Sequence, residues 1–253
     1  IRPEDSNALN MLGAAFFKKG NIKSSINFYS KAIELNPQND KIYNNLAIAY
    51  SKSGNLEAAV SIYLKALKID SNNFSTLFNL GRIYQQKGDL EKALETFEKI
   101  LKLKNINSLD LVFNEIGITL QKKEDFHSAI KSYLKAIKLN KNSVQFYNNL
   151  GYAQFEIEDF DSATLSFLEA LKLNPKNAIA RKNLSKIFLL KGNYEEGFKN
   201  YEYRYKHTNI RILPHASPNI PIWSGEDSEM PDKLLIVSEQ GLGDTLQFMR
   251  FLP

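Results

Sequence analysis

Apolar side chains recur through the first 211 residues at three- and four-residue intervals, the spacing that places them on one face of an α-helix. The apolar stretches come in pairs, separated by short polar turns such as "KKGN", "SKSGN" and "QQKGD". Glycine in these turns permits the backbone conformations that a tight connection between two helices needs. The pattern therefore predicts a series of helical hairpins, each with an apolar face that must be buried against its neighbours.

Comparison of the chain with itself gives a period of 34 residues. The segments "YNNLAIAYSKSGNLEAAVSIYLKALKIDSNN" and "YNNLGYAQFEIEDFDSATLSFLEALKLNPKN" align over their whole length. The period divides the chain into six units, of which only the third is longer, by two residues. The predicted units are 6–39, 40–73, 74–109, 110–143, 144–177 and 178–211.

Two kinds of position repeat inside these units. The eighth position holds a small residue: Gly13, Ala47, Gly81, Gly117, Gly151 and Ser185. The twenty-fourth position holds a large aromatic residue: Tyr29, Tyr63, Phe97, Tyr133, Phe167 and Tyr201. Small residues allow two antiparallel helices to approach closely, and we expect the aromatic rings to fill the seam between them.

This pattern closely resembles the tetratricopeptide repeat, and the resemblance covers roughly residues 1 to 211. It implies an all-α fold, a right-handed superhelix of antiparallel helix pairs whose first helices line a concave groove. Residues 1–5 resemble the tail of an upstream repeat, with Pro3 where Pro37 and Pro175 stand in theirs. We therefore expect the parent chain to extend further toward its N-terminus.

Asparagine occupies the sixth position of four units, on the helices expected to line the groove: Asn45, Asn79, Asn149 and Asn183. A row of carboxamides can pair with the amides of an extended peptide, each bond contributing about 0.5–1.5 kcal/mol net. The row, which Glu115 interrupts, resembles the asparagine ladder of O-linked N-acetylglucosamine transferases, and that resemblance implies peptide binding. The alternative is that asparagine is simply common in such repeats. Further groove candidates are Asn44, Asn114, Asn148, Arg82 and Tyr152.

The sequence changes character after residue 211. Residues 212–232 form a predicted linker in which Pro214, Pro218 and Pro221 block both a helix and a central strand. Residues 233–253 are predicted to form the first strand, glycine turn and helix of an α/β domain, and we expect the parent chain to continue this domain.

The segments "GNYEEGFKNYEYRY", "PIWSGE" and "EQGLGDTLQFMRFLP" resemble the junction of bacterial proteins that join tetratricopeptide arrays to a GT-B type, heptosyltransferase-like glycosyltransferase domain. That resemblance implies that Asp244 acts as a base toward the acceptor hydroxyl in the intact enzyme, and that a nucleotide sugar binds in the C-terminal half of the domain. The alternative role of Asp244 is to cap the helix that follows it. Within residues 1–253 alone we expect neither a cofactor nor catalysis.

The charge, the few possible metal ligands and the lengths of the apolar runs restrict the kinds of partner that the chain can bind. With 33 Lys and Arg against 28 Asp and Glu the formal charge is +5, but the lysines cluster near the ends of the second helices, where they favour the helix dipole and solvent over nucleic acid. The three histidines have no second ligand at metal spacing, and cysteine is absent. No apolar run approaches the ~20 residues of a membrane helix. We therefore expect a cytoplasmic protein that binds neither metal, membrane nor nucleic acid.

Two functions follow as hypotheses. The first is a scaffold that binds extended polypeptide in its groove, as the substrate-recruiting arm of a glycosyltransferase. The second is that the intact chain is itself a protein-modifying glycosyltransferase of which this part is inactive. The apolar strand at residues 233–238 would expose an edge without its sheet partners. We therefore expect it either to fold back against the last helix pair around Tyr201 and Tyr205 or to pair with another copy of the chain in a homo-oligomer.

Overall fold

The computed structural model describes residues 5–206. The described residues form twelve α-helices and no strand. The helices are α1 (Ser6–Lys18), α2 (Ile22–Leu35), α3 (Asp40–Lys52), α4 (Leu56–Ile69), α5 (Phe74–Lys87), α6 (Leu90–Leu101), α7 (Leu109–Lys122), α8 (Phe126–Leu139), α9 (Val144–Glu156), α10 (Phe160–Leu173), α11 (Ala178–Leu190) and α12 (Tyr194–Lys206). The predictions for the linker at 212–232, the α/β segment at 233–253 and oligomerisation through it lie outside the described residues.

The helices fall two to each predicted unit, which confirms the all-α fold of antiparallel helix pairs. Only α7 starts outside its unit, at Leu109, one residue before the predicted boundary. The two extra residues of the third unit lie in the connection between α6 and α7. There Asn105 has a φ of 59°, a left-handed conformation that asparagine tolerates better than most residues.

The turn inside each hairpin contains one residue with positive φ. In four units this residue is a glycine: Gly20, Gly54, Gly88 and Gly192. In the fourth and fifth units it is Glu124, with φ 62°, and Glu158, with φ 61°. The sequence predicted a glycine turn, and the structure shows that the same backbone conformation persists where glutamate replaces the glycine.

In the four hairpins whose eighth residue is glycine, this residue touches the aromatic twenty-fourth residue. A Cβ atom added at Gly117 would lie 2.5 Å from the ring of Tyr133, and one added at Gly81 would lie 2.6 Å from the ring of Phe97. Gly13 and Gly151 face Tyr29 and Phe167 in the same way. The rings of Phe97, Tyr133 and Phe167 are fully buried, so this contact sets how closely the two helices approach.

The first helices of neighbouring units lie together on one side of the array. Contacts join α1 to α3, α3 to α5, α5 to α7, α7 to α9 and α9 to α11. Among the described residues, the second helices α2, α4, α6, α8 and α10 make no such contacts with one another. The array of helices therefore curves with the first helices on its inner face, and the concave groove is formed by side chains of these helices.

Candidate functional site

Hydrogen bonds between asparagine side chains connect the first helices along the groove. Asn45 Nδ2 donates to Asn10 Oδ1 at 3.0 Å, across the boundary between the first two units. The same bond, from the sixth position of one unit to the fifth position of the unit before it, occurs twice more. Asn79 donates to Asn44 at 3.2 Å, and Asn149 donates to Asn114 at 2.8 Å. We call these three bonds the amide rungs.

The residue type at the fifth position of a unit goes together with the residue type at the sixth position of the next unit. Where the fifth position is Phe78 instead of asparagine, the sixth position of the next unit is Glu115 instead of asparagine. The amide rungs thus depend on asparagines 35 residues apart, and this spacing is readable in the sequence. The sequence predicted the asparagines at both positions as groove residues, but not the hydrogen bonds between them.

Glu115 occupies the sixth position where the row of asparagines is interrupted, and its carboxylate is largely buried. Its side chain is 13% exposed, and Oε1 lies 3.8 Å from Arg82 Nε. Burial raises the pKa of Glu115, and the positive charges of Arg82 and Lys122, with a hydrogen bond from Gln85, only partly offset that effect. The ion pair at 3.8 Å is long, so desolvation of the carboxylate outweighs it.

Gln85 anchors the backbone beside this carboxylate. Its Nε2 donates to the carbonyl oxygen of Glu115 at 3.0 Å and to Thr119 Oγ1 at 2.7 Å. Lys122 Nζ in turn donates to the carbonyl oxygen of Gln85 at 3.2 Å. The centre of the groove is therefore a connected polar cluster between α5 and α7, and it contains more positive than negative side chains.

The fourth pair of asparagines does not form a rung. Asn148 Nδ2 instead donates to Asn177 Oδ1 at 3.3 Å, and Asn148 Oδ1 is buried without a hydrogen-bond partner. Asn177 Oδ1 also accepts from the backbone N–H of Ala180 at 2.7 Å, which fixes the orientation of both amides. Within the described residues, the side chain of Asn183 makes no hydrogen bond.

A cavity of about 560 Å³ opens in the groove where this rung is missing. It is formed by α7, α9, α11 and the turn before α11. Its lining residues are Gln121, Val144, Gln145, Asn148, Asn149, Tyr152, Asn177, Ile179 and Asn183. No charged side chain is among them, although 24% of the chain is charged. We call this cavity the amide pocket.

The predicted groove residues differ in their access to solvent. Asn114 and Asn148 are buried at 3% and 7% exposure, so they lie beneath the groove surface, where Asn114 accepts from Asn149 and Asn148 donates to Asn177. Arg82 and Tyr152 are exposed, and the remaining predicted asparagines are half-buried: Asn44, Asn45, Asn79, Asn149 and Asn183. A hydrogen bond with Glu156 raises the pKa of the Tyr152 hydroxyl, and partial burial raises it further. The binding role of all nine residues stays a prediction.

Residues 5–206 contain no cluster of metal ligands and no helix that could span a membrane. Among residues 5–206, no three His, Asp or Glu side chains come together as a metal site. The helices in this range are too short and too polar to cross a bilayer. Asp244, the candidate catalytic base, lies outside the described residues.

Three models of the tetratricopeptide repeat match the sequence. They cover residues 40–106, residues 13–54 with 117–157, and residues 144–177. The described part of the chain is therefore an array of tetratricopeptide repeats. No curated protein matches the sequence.

Many solved structures share the fold. PilF of Pseudomonas aeruginosa is 17% identical with a TM-score of 0.69, over 80% of this chain and 93% of that one. MamA of Desulfovibrio magneticus is 16% identical with a TM-score of 0.61, over 68% and 96%. YrrB is 27% identical with a TM-score of 0.55, over 69% and 89%, and is described as a protein of this class with an unusual peptide-binding site.

Proposed function

We propose that this chain is a protein-interaction scaffold that binds an extended polypeptide in its concave groove. The observation that carries the proposal is the row of amide rungs. Each rung uses one N–H of the sixth-position asparagine and leaves its second N–H and its oxygen without a protein partner among the described residues. One donor and one acceptor per repeat is what the backbone of an extended peptide pairs with.

The rungs also reduce the entropic cost of binding. A free asparagine side chain loses rotamer freedom when it binds a ligand, whereas Asn45, Asn79 and Asn149 are already held by their neighbours. YrrB, a solved structure of the same fold, is described as having a peptide-binding site, and this supports a polypeptide as the ligand of the groove.

Peptide capture tests the proposal. Random peptides of about twelve residues, which extend to about 40 Å, are long enough to contact several repeats. Replacing Asn45, Asn79, Asn149 and Asn183 together by alanine should weaken capture at least about tenfold, since a few lost bonds of about 0.5–1.5 kcal/mol suffice. The helical circular dichroism should persist, although the variant should melt earlier because the buried oxygen of Asn114 loses its donor.

Asn27→Ala is the matched control, because Asn27 is exposed on the second helix α2 and lies outside the groove. It should leave capture unchanged. If no peptide is captured, or if the quadruple variant captures peptides as well as the unchanged chain does, the proposed function is wrong.

We further propose that the groove recruits substrate for a glycosyltransferase whose domain begins within residues 233–253. The support is the resemblance of "EQGLGDTLQFMRFLP" to the start of a GT-B domain, with Asp244 as the base toward the acceptor hydroxyl. The alternative is that the intact chain is the transferase itself, which modifies the polypeptides that its groove holds.

The protein encoded by the complete reading frame provides the test. We expect it to transfer a labelled sugar from a nucleotide sugar to a captured peptide, and Asp244→Asn to abolish transfer while capture persists. Residues 1–253 alone should give no saturable heat when titrated with nucleotide sugars. A reading frame without a sugar-transferring domain would overturn this proposal and leave the scaffold function standing.

A further inference from the structure

We propose that the amide pocket selects a carboxamide side chain, glutamine or asparagine, of the bound polypeptide. This inference rests on the proposed function, because it assigns one residue preference within the peptide that the groove holds. It follows from three features of the pocket: the absence of charge, the direction of its hydrogen bonds, and its apolar walls.

The pocket contains no group that can neutralise a charged ligand. Its polar lining consists of the carboxamides of Gln121, Gln145, Asn149 and three further asparagines, and of Tyr152. A buried charge needs an opposite charge or several hydrogen bonds to replace its water. No lining residue carries such a counter-charge for a lysine, arginine, aspartate or glutamate side chain; the neighbouring Glu156 is hydrogen-bonded to Tyr152.

Existing hydrogen bonds fix which atoms the lining amides can offer. The hydroxyl of Tyr133 donates to Gln121 Oε1 at 3.0 Å, so the NH₂ group of Gln121 is the part left to donate. One N–H of Asn149 is engaged with Asn114, so its second N–H is left to donate and its oxygen is left to accept. Asn148 is oriented by Asn177, and its Oδ1 is an acceptor without a donor. The lining therefore offers both donors and acceptors, and none of its side chains is charged.

A carboxamide complements this arrangement with its own atoms. Its NH₂ group supplies a donor to the oxygen of Asn149, and its oxygen accepts from Gln121 Nε2. An ammonium group supplies donors but no acceptor for Gln121. A carboxylate supplies acceptors only, so it would leave the oxygen of Asn149 without a donor. Hydrogen-bond direction and the absence of charge thus favour the same ligand group.

The remaining walls suit the methylene groups of such a side chain. Val144 and Ile179 lie on opposite helices of the pocket, and the exposed ring of Tyr152 adds a flat apolar surface. Glutamine has two methylenes and can reach the amides while covering these walls, so we expect it to bind at least as well as asparagine.

The experiment uses the full 253-residue chain and a cellulose array of random peptides as the probe. The peptides that bind most tightly are then scanned, each position in turn being replaced by glutamine, glutamate, lysine and leucine, and affinities are measured by fluorescence anisotropy. We expect one position at which glutamine binds about tenfold or more tightly than the other three residues.

The variant Gln145→Glu ties this preference to the pocket, because Gln145 is an exposed residue on its wall and glutamate has the same shape. It should raise affinity for peptides with lysine at the selected position and lower affinity for those with glutamate. Gln38→Glu, in the exposed turn between α2 and α3, is the charge-matched control and should change neither preference.

The outcomes separate the two proposals. If no peptide binds, the scaffold function fails and the pocket assignment fails with it. If peptides bind but no position prefers glutamine or asparagine, or if Gln145→Glu and Gln38→Glu give the same profile, the pocket assignment alone is overturned.

Discussion

Asn149 on α9 donates a 2.8 Å hydrogen bond to Asn114 on α7, and the two residues are 35 positions apart in the sequence. Asn114 is only 3% exposed, so water cannot easily replace Asn149 as the donor to its oxygen. The bond joins two repeats through their first helices, where the groove is formed. An asparagine proposed to bind ligand thus also connects neighbouring units.

This relationship predicts that two asparagines of the same row differ in their contribution to stability. Asn149→Ala should lower the free energy of unfolding by about 1–3 kcal/mol, because the Asn114 oxygen loses its donor inside the protein. Asn183→Ala, at the equivalent position of the last unit, should change it by less than about 0.5 kcal/mol, because the Asn183 side chain makes no hydrogen bond in the described structure. Urea denaturation of both variants measures the difference, and equal losses would contradict it.

Gly117 and Tyr133 give a prediction about packing. A Cβ at Gly117 would lie 2.5 Å from Cε1 of the fully buried Tyr133 ring, which is closer than real contacts allow. Gly117→Ala should therefore destabilise the chain by about 1–3 kcal/mol despite the better helix propensity of alanine. Thermal denaturation followed by circular dichroism measures the loss.

A double-mutant cycle with Tyr133→Leu tests the cause of that loss. If the clash with the ring is responsible, adding Gly117→Ala to Tyr133→Leu should cost clearly less than adding it to the unchanged chain. Additive losses would show that the glycine is required for another reason.

Glu115 makes the stability of the array depend on pH. Burial raises its pKa in the folded chain above the unfolded value, so the folded chain binds this proton more readily. The ionised carboxylate therefore destabilises the fold at neutral pH, and the penalty disappears as pH falls through the folded and then the unfolded pKa. Glu115→Gln should raise the melting temperature at pH 7, with a smaller gain in acid.

The exposed Glu98, on the second helix α6, provides the matched control. Glu98→Gln should change the melting temperature similarly at both pH values. A Glu115→Gln variant that is less stable than the unchanged chain at pH 7 would mean that the ion pair with Arg82 outweighs burial.

The sequence alone predicted the helix pairs well, for a physical reason. The apolar period, the small eighth residue and the aromatic twenty-fourth residue each act within one unit, so a repeated pattern specifies the hairpin six times over. The left-handed conformation of Glu124 and Glu158 was not predicted, because neither residue favours it. There the surrounding helices impose a backbone conformation that glycine adopts at little cost in the other turns.

The groove was harder to predict because its contacts join different units. The sequence showed the row of asparagines but not how deeply each one is buried. Asn114 is buried and accepts a hydrogen bond from Asn149, whereas Asn149 lies closer to the surface. The amide pocket was not predicted from the sequence. Which donors and acceptors it offers depends on the hydrogen bonds that its amide groups already make within the protein. The hydrogen bond from the Tyr133 hydroxyl to Gln121 is one of these bonds, and the spacing of the two residues in the sequence does not predict it.

Glu124 provides the last prediction. It has a φ of 62°, which costs an L-residue with a Cβ about 1–2 kcal/mol relative to glycine, and glycine occupies the corresponding turn position in four other units. Glu124→Gly should therefore stabilise the chain by about 1 kcal/mol, even though glycine adds entropy to the unfolded chain. Glu95→Gly, at an exposed position inside α6, should destabilise it by a similar amount, since helical backbone disfavours glycine. Melting temperatures that shift in opposite directions would support this assignment, and a loss of stability in Glu124→Gly would show that the glutamate side chain contributes more than its backbone strain costs.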